Sequence, residues 1–166
     1  MKQVLIILLV VLSQKLVAQD DGPTAGSVLR SLSGVDMITG KVIDVEFKLS
    51  KDYTLFHFWS SQSDSSINDF TILLALIKQY DNKLTVYGFP YETKQQVAAA
   101  KQMTVKYKLN WSHLLQYKQA DRQGAAVIDV LKVNTFPTYM LLDKEGMILV
   151  RSNVLADVEV VLKRLD

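Results

Sequence analysis

Cysteine is absent from all 166 residues. That excludes disulfides, so stability must rest on a packed core, and it excludes any thiolate nucleophile or thiolate-ligated metal supplied by this chain. Histidine is scarce: His57 and His113 stand far apart with no cysteine to join them, so no metal site and no cofactor is expected. Long apolar runs are missing beyond the first residues, and no repeat or low-complexity tract follows. Surplus charge is missing too. The formal excess of +2 comes from Lys2 and Lys15; without them the 19 basic residues fall to 17, equal to the 17 acidic ones. Neither nucleic acid nor an anionic membrane surface is therefore expected as a partner.

What is present begins with "MKQVLIILLVVLSQKLVAQ". A lysine, an apolar run from Val4 to Leu12 and a polar stretch closing on Ala18 have the layout of a secretory signal peptide over 1–19, with cleavage after Ala18 or Gln19. The run is short for a bilayer, so an uncleaved anchor, the only route to a membrane, is the weaker reading. The expected location is the periplasm or the exterior. Residues 20–34, with Gly22, Pro23 and Gly26, read as a flexible lead-in. Residues 35–166 read as one domain of ordinary size.

Within that domain, "MITGKVIDVEF" predicts two short strands about a turn at Thr39–Lys41, with Val42, Val45 and Phe47 partly buried. "YTLFHFW", Tyr53 to Trp59, is nearly continuous in apolar and β-branched residues and predicts a central strand covered on both faces. Ile67, Phe70, Leu73, Leu74 and Ile77 recur at helical spacing behind Asp64 or a neighbouring serine as N-cap. "KLTVYGF" predicts a strand, "TKQQVAAAKQMTVKY" a helix and "QGAAVIDVLKV" a short helix. Thr138–Leu142 and Met147–Val150 form a hairpin across "DKEG", and Val154–Leu165 closes the chain as a helix. The alternation predicts an α/β fold: a mixed central sheet flanked by helices, extended by an N-terminal β-hairpin.

Three segments in this order, "FHFWSS", "NWSHLLQY" and "VNTFPTYMLLDKEGMILV", resemble landmarks of the thioredoxin-like superfamily, in particular its TlpA-type branch of exported thiol/disulfide oxidoreductases. The resemblance spans about Met37 to Asp166. It aligns Trp59 with the family tryptophan, Gln62 with the aromatic residue before the motif, and Ser63-Asp64-Ser65-Ser66 with Cys-x-x-Cys. Both cysteine positions hold serine. It also implies a cis bond before Pro137, facing the motif, which leaves the backbone at Phe136 free to pair with an extended peptide.

Disulfide exchange needs a thiolate and a mixed disulfide, and a serine hydroxyl provides neither. Ser63 and Ser66 are thus degenerate motif positions and no catalytic residue is assigned. The expected function is non-catalytic: binding of an exported peptide or protein, or a scaffold role, through Trp59, Gln62, Asp64, Phe136, Pro137 and Thr138. An alternative is an accessory subunit of a redox system whose partner supplies the cysteines. A minor alternative is a serine hydrolase using Ser63 or Ser66 with His57, which lies where many thioredoxins bury an acidic residue beneath the motif. The simpler reading of His57 is a buried side chain bonded to a serine or a backbone group. His113 reads as partly exposed.

Overall fold

The computed structural model describes residues 22–118, 121 and 126–165. The signal segment and residues 20–21 lie outside them. The elements are β1 (Leu32–Val35), β2 (Val42–Val45), β3 (Tyr53–Trp59), α1 (Asp64–Gln79), β4 (Leu84–Glu92), α2 (Val97–Tyr107), β5 (Ser112–His113), β6 (Gln116–Tyr117), α3 (Val127–Val130), β7 (Thr138–Leu142), β8 (Ile148–Ser152) and α4 (Leu155–Leu165).

β3 is the spine of a mixed sheet in the order β5-β4-β3-β7-β8, with β6 continuing along β4. It pairs parallel with β4 and antiparallel with β7, and β8 returns antiparallel to β7. Because side chains alternate along a strand, β3 serves two cores. Phe56 and Phe58 enter one with Phe89, Met140, Ile128 and Leu131. Leu55 enters another with Leu73, Leu76, Tyr139, Val158 and Leu162, from α1, β7 and α4. Trp59 packs with Phe70, Ala100 and Leu109. The near-continuous apolar character of this strand therefore corresponds to burial on both faces, and six of its seven residues are buried.

The N-terminal hairpin is present but shifted from its predicted position. Its first strand is Leu32–Val35 rather than a segment beginning at Met37, because Asp36 forms the turn. Its Oδ1 accepts the amides of Ile38 and Thr39 and the Thr39 hydroxyl, while its Oδ2 accepts the His113 amide at 2.9 Å. Burial alone would raise the Asp36 carboxyl, yet the bonds from Thr39, His113 and Ile38 hold it below the ordinary value. Val42 is 69% exposed, whereas Val45 and Phe47 are buried, the latter in a single 3-10 turn (Phe47–Leu49).

Residues 22–34 are tied down rather than loose. Gly26 and Leu29 donate to Ile148 and Gly146, Ile148 donates back to Ser27, and the Arg151 guanidinium reaches the Pro23 carbonyl. Gly146, at φ +79°, fits this contact because a Cβ there would lie 2.2 Å from the Leu29 carbonyl oxygen.

Candidate functional site

The site forms where β3 ends and α1 begins. Ser63 caps α1: its Oγ accepts the Ser66 amide at 3.3 Å, and its hydroxyl donates to the Phe136 carbonyl at 3.1 Å. A single side chain thus holds the helix start against the loop before β7. The Phe136–Pro137 bond is cis. Asn153 secures the loop from behind, with Nδ2 2.7 Å from the Pro137 carbonyl and 2.8 Å from the Thr135 and Thr138 hydroxyls.

The rim facing outward consists of exposed Gln62 and Asp64, half-buried Ser63, and half-buried Phe136, whose ring stacks on Tyr91 at 5.3 Å and 15°. The Lys118 ammonium lies 5.7 Å from the Tyr91 ring centroid. Among the described residues the Phe136 amide donates to no group.

Three of the expected binding residues lie inside. Trp59 is fully buried, edge-on to Phe70 at 5.3 Å and to His113 at 5.7 Å, so it offers no surface. Thr138 is 3% exposed and donates to the Thr135 carbonyl. Pro137 is largely buried, contributing only to the wall of a neighbouring cleft. Trp59→Ala is expected to cost about 3–5 kcal/mol of stability, measured by urea unfolding. A loss below about 1 kcal/mol would show that the ring is not a core element.

His57 is fully buried, but among the described residues neither ring nitrogen has a hydrogen-bond partner. The expected bond to a serine or backbone group is absent. The ring instead stacks on Tyr139 at 5.3 Å and 8° and on Trp59 at 6.3 Å and 16°. Burial, reinforced by the nearby His113, lowers its pKa to about 3, so the ring is neutral. Ser63 is committed to Phe136 and the Ser66 hydroxyl has no partner, so no Ser–His pair of the kind hydrolysis needs exists among the described residues.

His113 is buried, not partly exposed, because β5 places it beside Gly88 of β4 and the hairpin turn covers it. A Cβ at Gly88 would lie 2.3 Å from its Nδ1. Burial lowers its pKa to about 4, opposed by the Leu109 carbonyl and the Asp36 charge.

Glu92 carries no mark in the sequence as a site residue. At the end of β4 it is fully buried and accepts both the Ser61 amide and, at 2.9 Å, the Ser61 hydroxyl. Burial raises its carboxyl, while Ser61, Lys118 and Ser60 pull it back. A glutamate in "FPYETK" carries no sequence mark separating it from a solvated strand end. Among the described residues no group of three or more His, Asp or Glu is placed to hold a metal ion, and no helix is long and apolar enough to cross a membrane.

This arrangement, a helix capped at the end of a central strand and faced by a cis-proline loop, is the thioredoxin-like fold, and its solved neighbours include thiol–disulfide oxidoreductases. The thioredoxin domain of an oxidoreductase from Bacteroides vulgatus superposes with a TM-score of 0.68 at 24% identity, covering 86% of this chain and 98% of its own. An oxidoreductase from Bacteroides fragilis gives 0.69 at 21%, covering 84% and 100%. A secreted disulfide oxidoreductase of Mycobacterium tuberculosis gives 0.63 at 13%, covering 80% and 95%. No protein-family model matches the chain, and no curated protein matches it significantly.

Proposed function

We propose that the protein is an exported, non-catalytic polypeptide-binding or scaffold module that uses the rim formed by Gln62–Asp64 and Phe136. The leader-like N-terminus supports export, and one neighbour in fold is a secreted protein. Thiol exchange is excluded by composition. The observation that carries the binding reading is the Phe136 amide, without an acceptor among the described residues, beside the half-buried Phe136–Tyr91 pair. An unpaired backbone donor beside apolar surface is what an extended peptide engages by strand addition.

A partner recovered from the native envelope and purified should bind Phe136→Ala or Tyr91→Ala at least about ten-fold more weakly, as for loss of an anchor residue, with Val105→Ala as the surface control. Trp59 is unsuitable for this test because its removal threatens the core. Equal affinities would sink the reading. A partner bringing its own Cys-x-x-Cys would make this chain the accessory subunit of a redox pair.

A further inference from the structure

Beside Pro137, on the far side from the Phe136–Tyr91 pair, a cleft of about 400 Å³ runs between α1 and the start of α4. Its walls carry apolar surface left open to water: Ile72 is 60% exposed and Val154 56%. Two carboxylates, Asp69 and Glu159, also line it, and among the described residues no basic side chain does. The Tyr139 hydroxyl donates to Asp69 Oδ2 at 2.9 Å, fixing the carboxylate and leaving its second oxygen uncommitted among the described residues. Glu159 pairs through Oε1 with Lys163 at 2.6 Å.

We infer that this cleft is a subsite for a lysine or arginine side chain of the bound polypeptide, an assignment that rests on the binding reading above. Side chains of an extended peptide alternate in direction, so a strand engaged at Phe136 can send one residue toward the aromatic pair and a neighbour toward the cleft. A long cationic side chain matches both wall components: its aliphatic stem covers Ile72 and Val154 while its head meets the carboxylates. A purely apolar side chain would strip water from Asp69 and Glu159 without replacing it. An acidic one would be repelled.

The test is a titration of the isotope-labelled protein, followed by NMR, with the blocked peptide acetyl-Thr-Val-Arg-Val-amide and its citrulline analogue, which keeps the shape and loses the charge. The arginine peptide should shift the amides of Asp69, Ile72 and Val154 and bind about five-fold or more tightly than the citrulline peptide, the scale of one partly exposed ion pair. Asp69→Asn should erase that difference. Glu159→Gln, which leaves the Tyr139–Asp69 bond intact, should reduce it and guards against a folding defect at that contact. Equal binding of the two peptides, or shifts confined to other surfaces, overturns the subsite. Binding that is lost in Phe136→Ala but indifferent to citrulline overturns the subsite and leaves the binding reading standing. Arginine-dependent shifts at the cleft that persist in Phe136→Ala support the subsite and remove the Phe136 ring as an anchor.

Discussion

Replacing both Ser63 and Ser66 with cysteine is expected to create a dithiol that closes to a disulfide in air and exchanges with small disulfides, whereas the wild-type chain gives no thiol turnover at all. Position 63 is half-buried at the N-cap of a 16-residue helix, and position 66 is buried in its first turn. The helix start favours an anion, so the thiol introduced at 63 should ionise below the ordinary value of about 8.5. The Ser63 side chain already folds over that turn, with Oγ 3.3 Å from the Ser66 amide. Mass spectrometry before and after reduction detects closure, and thiolate absorbance against pH gives the ionisation. A dithiol that stays open, or a thiol of ordinary acidity, would show that this frame does not provide redox geometry at these two positions.

The second large effect concerns acid stability. The native His57 is neutral with a pKa of about 3, against 6.5 when solvated. Between those values the unfolded chain takes up a proton that the native chain refuses, so this contribution to stability is present above pH 6.5 and is lost as pH falls toward 3. The drop corresponds to on the order of 5 kcal/mol. His113, with a pKa of about 4, acts in the same direction over a narrower range, and Asp36, held below its ordinary value, follows at lower pH. Glu92, raised by burial, acts oppositely: stability is lost as pH rises through its folded pKa. His57→Leu removes one term only. Its advantage over wild type in urea unfolding should therefore widen steadily from pH 7 to pH 4. At neutral pH it should already be neutral or stabilising, because two ring nitrogens without partners leave the core. A difference between the two proteins that does not change with pH would show that His57 is hydrated or partnered in solution.

Much of the fold is legible in the sequence, for identifiable reasons. The run Tyr53–Trp59 is apolar on both faces because β3 lies between two layers, and "DKEG" marks the hairpin because Asp143 Oδ1 collects the Glu145 and Met147 amides. Side-chain direction at the site is much less legible. Trp59 reads as a binding residue from its motif position, yet it lies on the same face of β3 as Leu55 and is fully buried. His113 lies in a segment whose pairing with β4 spans only two residues, too short for periodicity to register. Glu92 and Asp36 are buried because backbone amides complete them, and sequence spacing does not reveal those partners. The Ser63–Phe136 contact joins residues 73 apart; the motif alignment locates both ends, and only the fold supplies the bond.

The central claim is that the rim beside Ser63–Ser66 is a working surface. The most direct measurement is site-specific photo-crosslinking in the native envelope, with a photoreactive side chain placed in turn at Gln62 and Phe136, and at Val105 and Glu145 as remote exposed controls. A discrete polypeptide adduct from the first two positions and none from the controls is the predicted result. Adducts only from the controls, or no adduct at Gln62 and Phe136, would contradict the account.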